Sequence, residues 1–293
     1  MKKIGVIGCG LMGYGIATNL LRKGYEVTVY DTNPQAVERV IAQGGSGAAT
    51  VPLLAKACDV VILSLPTTDL VESVLSNEYE GALHFMKPGS AVLDMSTNDV
   101  ATTRKLEELA RSVGISYFDC PVSGGPEGAS SGTLTIMVGG SDLTFQKVSS
   151  VLQAMGKHVE YLGSSGAGQI VKLCNNMVVG GIISLLGEAL LTGEKAGISK
   201  EKLRELFQKG SAQTKVMDVF GPSILHETYD NVTFSLANML KDLSLYQKLA
   251  TEVGVSTAIS DASHELFNRA NATGHGRRDS SAIAELIEQE AKT

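Results

Sequence analysis

Lys3-Ile-Gly-Val-Ile7 runs directly into Gly8-Cys-Gly10-Leu11-Met12-Gly13, and then into Gly15-Ile-Ala-Thr-Asn-Leu-Leu21. The first five residues read as a short buried strand, and the last seven carry the apolar spacing of a helix. Between them lies G-x-G-x-x-G, in the strand–turn–helix context that gives the pattern its meaning. Gly8 permits the tight turn, Gly10 lets the backbone approach a pyrophosphate, and Gly13 lets the helix pack on the strand. The free N–H groups and dipole of the helix N-terminus then favour the phosphates. The stretch predicts a dinucleotide-binding unit, with Gly8, Gly10, Leu11, Met12 and Gly13 among its cofactor contacts.

Working outward, the strand Glu26-Val-Thr-Val-Tyr30 ends in Asp31. That is about 20 residues past the glycines, where a carboxylate hydrogen-bonds a ribose 2′-OH and repels a 2′-phosphate. Thr32 and Asn33 follow, with no Arg or Lys, which points to NAD over NADP. The other reading is that Asp31 caps a helix starting near Asn33-Pro34. Residues 59–65 form an unbroken apolar run of the kind a parallel sheet buries on both faces. A further strand at 91–95 ends in Ser96-Thr97. Ligands bind beyond the C-terminal ends of such strands, which makes Leu65, Pro66, Ser96 and Thr97 candidate cofactor contacts. Strands are expected at 116–119, 133–138 and 158–162, and helices at 70–75, 106–113 and 143–155. Cys120-Pro-Val-Ser123-Gly124-Gly125-Pro-Glu-Gly-Ala129 reads as a binding loop, with backbone N–H groups and a hydroxyl turned toward one small anion. Its bland reading is a plain turn.

The pattern changes near Gly166-Ala-Gly-Gln-Ile-Val-Lys172-Leu-Cys-Asn175-Asn176. Beyond it the spacings are helical, through 200–209, 236–251 and 260–272, and no convincing strand remains. The fold expected is a doubly wound α/β sheet domain of the Rossmann type over 1–165, followed by an all-α domain over 166–293, joined by a long interdomain helix. That helix is apolar on nearly every face to Leu191, so burial is expected. Lys172, Asn175 and Asn176, at i, i+3 and i+4, project from one face. A buried lysine has its pKa driven down toward a value useful for proton transfer. A snorkelling lysine with loop-bonded asparagines is the alternative. Farther on, Lys241-Asp242 reads as a solvated ion pair, and Asp279 as an N-cap in a glycine-hinged loop before a final helix.

The 293 residues allow two domains and a large core. A net charge of −6 without blocks of like charge argues against nucleic-acid or anionic-membrane partners. The opening Met-Lys-Lys is too short a lead for a signal peptide, and the apolar run 177–186 too short to span a bilayer. Four scattered cysteines suggest reduced thiols in the cytoplasm, and the dispersed histidines no metal site.

Taken together, the segments resemble the β-hydroxyacid dehydrogenase family over essentially the whole chain. The resemblance is carried, in order, by Gly8–Gly13 with Asn19-Leu-Leu, by Asp119-Cys-Pro-Val-Ser-Gly-Gly125 with Gly132-Thr-Leu134, and by Gly166-Ala-Gly168 followed by Lys172 and Asn176. Lys241-Asp242 and Gly274-x-Gly276-x-x-Asp279-x-Ser-Ala282 complete it. It implies an NAD(P)-dependent oxidoreductase moving a hydride between a nicotinamide and a small β-hydroxy acid or its semialdehyde. A 3-hydroxyisobutyrate-type acid is the first candidate; tartronate semialdehyde, succinic semialdehyde or glyoxylate reduction is the alternative, and a non-catalytic dinucleotide sensor is remote. By the same resemblance Lys172 is the general acid/base and Asn176 orients the substrate, with Asn175 beside it. Ser123, Gly124 and Gly125 would hold the carboxylate, and Lys241 would contact the nicotinamide half. Arg277 and Arg278 lie where family members vary and could meet a second anionic group. A homodimer or homotetramer is expected.

Overall fold

The computed structural model describes residues 2–292. The chain divides into two compact units, Met1–Lys172 and Leu173–Thr293.

The first unit is built on one nine-stranded sheet. Its strands are β1 (Lys3–Ile7), β2 (Glu26–Tyr30), β3 (Ser46–Gly47), β4 (Val60–Leu63), β5 (Ala91–Asp94), β6 (Ser116–Asp119), β7 (Val122–Ser123), β8 (Leu134–Gly140) and β9 (Gly156–Gly163). They lie in the order β3-β2-β1-β4-β5-β6-β8-β7, with β9 also paired to β8. The first six are parallel, and β8 joins β6 antiparallel. Because the chain winds outward in both directions from β1, the strand order reverses between β1 and β4, the place where such sheets open a crevice for ligands. The central strands are apolar on both faces for a simple reason. Ile4, Val6, Val60, Ile62, Ala91 and Leu93 feed one core, and Ile7, Val61, Leu63 and Val92 feed the other.

Eight helices belong to this unit: α1 (Leu11–Arg22), α2 (Pro34–Ile41), α3 (Val51–Ala57), α4 (Thr68–Ser76), α5 (Val100–Ser112), α6 (Gly125–Ser131), α7 (Asp142–Phe145) and α8 (Ser149–Met155). Their starts follow local chemistry. Asn33, Thr50, Thr67 and Asp99 each accept a hydrogen bond from a backbone N–H of the first turn. The Asp99 cap explains why α5 begins at Val100, six residues before the apolar spacing at 106–113 suggested. The helix expected over 143–155 is two, α7 and α8, interrupted between Phe145 and Ser149. Neither α3 nor α6 was legible. The residues of α6 are mostly glycine, serine and proline, and tertiary packing holds it: a Cβ on Gly15 of α1 would lie 2.9 Å from the Ala129 Cβ.

The second unit is helical: most of α9 (Ala167–Lys195), then α10 (Lys200–Lys209), α11 (Lys215–His226), α12 (Leu236–Glu252), α13 (Ala258–Ala272) and α14 (Ile283–Glu290). Ile183, Phe220, Leu236, Met239, Leu243 and Phe267 form its core. Asp279 is the N-cap expected of it, accepting from Ser281 N; its other oxygen accepts from Thr233 N and Phe234 N, which pins the loop to the start of α12.

Two expectations about α9 need correction. It is not buried all round: Val171, Val178 and Leu185 are 40%, 54% and 66% exposed and share a stripe at seven-residue spacing. And although the apolar run 177–186 alone is too short to span a bilayer, the long helix expected here has 29 residues and is, by length and composition, long and apolar enough to cross a membrane. Half of its most apolar window is buried within the protein, as in a core helix.

Candidate active site

The glycine turn has the shape its sequence implies. Gly8 has φ +93°, and a Cβ there would collide with the Ser64 carbonyl. Gly13 abuts the Gly8 carbonyl so closely that no side chain fits, which draws α1 against the end of β1. A Cβ on Gly10, by contrast, would meet no atom within 4 Å. The first turn of α1 also carries no side-chain cap, so its N–H groups face an open approach. These are the features a pyrophosphate requires. Leu11 and Met12 form the rim.

Asp31 does not cap α2; Asn33 does, accepting from Gln35 N. Instead the Asp31 carboxylate accepts from Cys9 N at 2.6 Å and Asn33 N at 2.8 Å, which ties the end of β2 to the glycine turn. A cation missed in the sequence lies near it. Arg39, on α2, donates to the Cys9 carbonyl at 3.3 Å and lies over the Tyr14 ring at 5.2 Å. No local pattern marks it, because the contact spans thirty residues and depends on how α2 folds back. Burial, then the neighbouring Asp31 charge, pushes the Cys9 thiol up to about 12, so it is no nucleophile at neutral pH.

The loops after β4 and β5 meet: Leu65 N donates to Ser96 Oγ at 3.0 Å. Pro66 and Thr97 flank that contact. Beneath it lies a polar cluster that the sequence reading passed over. Asp94, fully buried, accepts from Tyr117 Oη at 2.7 Å, Asn98 Nδ2 at 2.6 Å and Ser96 N at 3.0 Å. Burial raises its pKa to about 6 against the pull of these donors. Asp119, equally buried, accepts from Gly166 N, just before α9, at 2.8 Å and from Gln169 N, in its first turn, at 3.0 Å. Burial raises its pKa too. The available signal was an aspartate closing each of two apolar strands.

Ser123 ends β7, paired to Thr135 of β8. Gly124 (φ +128°) and Gly125 (φ +63°) follow at the start of α6. The expected loop is therefore a strand end and a helix start meeting at two glycines whose φ values only glycine adopts easily. Ser123, Gly124 and Gly125 remain at one point of the fold.

Lys172 is 8% exposed and Asn176, one turn later on α9, is 3% exposed. Asn176 Nδ2 donates to Asp242 Oδ2 at 2.5 Å, and Asn175 Nδ2 donates to Asn176 Oδ1 at 3.0 Å. Lys241 Nζ lies 3.1 Å from Asp242 Oδ1. The Lys241–Asp242 pair is thus no solvated ion pair: Asp242 is 1% exposed and orients the Asn176 amide. Arg278 is committed elsewhere, to Asp230 and Glu285 and over the Tyr229 ring, whereas Arg277 is exposed.

Two family models match: the NAD-binding domain of 6-phosphogluconate dehydrogenase over residues 3–163, and the NAD-binding domain of NADP-dependent 3-hydroxyisobutyrate dehydrogenase over 166–287. The chain belongs to the β-hydroxyacid dehydrogenase family. It is 36% identical to 2-(hydroxymethyl)glutarate dehydrogenase of Eubacterium barkeri, over 98% of this chain and 95% of that one. It is 33% identical to 2-hydroxy-3-oxopropionate reductase of Escherichia coli, over 98% and 97%. A solved structure of Mycobacterium tuberculosis 3-hydroxyisobutyrate dehydrogenase with L-serine superposes with a TM-score of 0.88 at 29% identity, covering 98% and 99% of the two chains. As a β-hydroxyacid dehydrogenase the protein is an NAD(P)-binding oxidoreductase of small hydroxy acids.

Proposed function

We propose that this protein is an NAD-dependent dehydrogenase of a small β-hydroxy acid, first 3-hydroxyisobutyrate, with Lys172 as general acid/base. The observation that carries the reading is Lys172, buried on α9 one turn before an asparagine whose amide Asp242 holds. Oxidation removes a hydroxyl proton while a hydride leaves the adjacent carbon; the bound nicotinamide supplies the acceptor for that hydride. Lys172 takes the proton, and in the reverse direction gives it back to the carbonyl oxygen. The Asn176 amide, fixed by Asn175 and Asp242, hydrogen-bonds the same oxygen. Ser123 and the N–H groups at Gly124 and Gly125 hold the carboxylate. Residues 1–165 bind the cofactor, through the glycine turn, Asp31, Leu65, Pro66, Ser96 and Thr97. Residues 166–293 add Lys241 and the surface for assembly into a soluble, cytoplasmic homo-oligomer. Asp31 favours NAD over NADP.

A dicarboxylic substrate is the second reading. It is favoured by the 36% identical relative named for 2-(hydroxymethyl)glutarate and by Arg277, whose exposed guanidinium suits a second carboxylate. Semialdehyde reduction is the same chemistry run backward.

The test is nicotinamide absorbance with NAD and NADP against 3-hydroxyisobutyrate, glycerate, serine, 4-hydroxybutyrate and 2-(hydroxymethyl)glutarate, with the matching aldehydes and reduced cofactors. Turnover of one acid is expected, and Lys172→Ala should lose roughly 10²–10⁴-fold in kcat with NADH binding kept. A near-normal rate in Lys172→Ala refutes the role given to the lysine.

A further inference from the structure

We propose that Gln169 is a positioning residue: it holds the loop after β5 in register with the helix turn that carries Lys172. The proposal rests on the reading of Lys172 and of Ser96–Thr97 given above. Gln169 is completely buried. A buried primary amide needs hydrogen-bond partners, and this one finds a donor and an acceptor on a single loop. Its Oε1 accepts from Asn98 N at 3.0 Å, and its Nε2 donates to the Ser96 carbonyl at 2.9 Å. The two clamped residues bracket Thr97. At the other end, the backbone N of Gln169 donates to Asp119 Oδ2 at 3.0 Å, so the carboxylate closing β6 fixes the same residue that grips the loop. The Asn98 side chain in turn donates to Asp94 at the end of β5. Strand ends, loop and helix start are thus joined by one hydrogen-bonded network, in which Gln169 reaches the loop from α9 with its side chain.

Lys172 stands three residues after Gln169 on the same helix, adjacent to it on the helix surface. Any slide or rotation of the first turn of α9 against the Ser96–Asn98 loop therefore moves the lysine ammonium with it. A displacement of about 1 Å in a reacting group can cost on the order of 10²-fold in rate. The loop side matters equally, because Ser96 also receives Leu65 N from the loop after β4. An apolar residue of the same volume would fill the site of Gln169 without fixing either partner.

The experiment compares Gln169→Met and Gln169→Glu with the wild type, measuring the fluorescence lifetime of bound NADH, its Kd, thermal stability, and kcat and KM for the acid found above. For folded Gln169→Met the expected result is a shortened NADH lifetime, a Kd within roughly threefold of wild type, and a kcat lowered roughly 10–100-fold with little change in KM. In Gln169→Glu the ionised carboxylate opposes the Ser96 carbonyl, while the protonated form can donate to it. Lifetime and kcat should therefore move toward wild type as the pH falls from about 8 toward about 5, and this holds the test if the methionine variant does not fold. A Gln169→Met protein with wild-type lifetime and a kcat within threefold overturns the proposal, even if its melting temperature falls. So does a Gln169→Glu profile parallel to wild type. The lifetime is read whether or not any acid turns over. A shortened lifetime in Gln169→Met beside a normal rate in Lys172→Ala would keep the clamp and discard the catalytic lysine.

Discussion

Asp31 and Asp94 both stand at the C-terminal end of a parallel strand, yet their surroundings set them to different tasks. Asp31 is partly exposed and spends its oxygens on two backbone N–H groups at the glycine turn. Asp31→Ala should therefore weaken NAD binding and raise the relative use of NADP, with Arg39 nearby to receive a phosphate; unchanged preference in paired NAD and NADP titrations would leave the carboxylate as a tie for the turn alone. Asp94 is sealed in, and burial raises its pKa from 3.8 to about 6. An acid whose pKa rises on folding contributes stability that is full below pH 3.8 and is lost as the pH climbs through about 6. Against Asp94→Asn, which cannot titrate, the wild-type advantage in urea unfolding should shrink between those values and then level off. A constant difference would mean the carboxyl ionises freely in the folded protein. Lys172 and Asn176 could be picked out from spacing and from the family pattern. Asp242, Asp119 and Gln169 could not, because their partners lie 66, 50 and 73 residues away in the chain.

At the scale of elements, the start of α9 is tightly wedged against the sheet. A Cβ on Gly168 would run into the Met137 carbonyl and lie 2.8 Å from Asp119 Oδ2. Gly181, farther along the same helix, would bring its Cβ no nearer than 3.8 Å to Ser263 Oγ. Gly168→Ala should lose about 1–3 kcal/mol in chemical denaturation through overpacking, while Gly181→Ala should hold or gain up to about 1 kcal/mol from helix propensity. Equal effects at the two sites would deny that the start of α9 is wedged. The same contrast explains which elements could be read in advance. Strands such as β4 and helices such as α10 announce themselves by local pattern, whereas α6 depends on the face of α1 it packs against.

Across the whole molecule, Val171, Val178 and Leu185 form an exposed apolar stripe along α9 that the single chain leaves without cover. Light scattering should give the mass of two or four chains, and Leu185→Glu should lower it; a monomeric mass for the wild type removes the stripe's assigned purpose. The α/β sheet followed by helices, the glycine turn and the placing of Lys172 and Asn176 one turn apart on one long helix were all determined by sequence alone. Each depends on residues close together in the chain, where periodicity and spacing carry the physics. What only the tertiary structure decided is how those parts are held. The buried Asp94 and Asp119 carboxylates, the Gln169 clamp, the Asp242 grip on Asn176 and the approach of Arg39 to Cys9 all join residues distant in sequence. A buried polar atom takes whichever partner the packed fold brings within about 3 Å, and no local pattern encodes that choice.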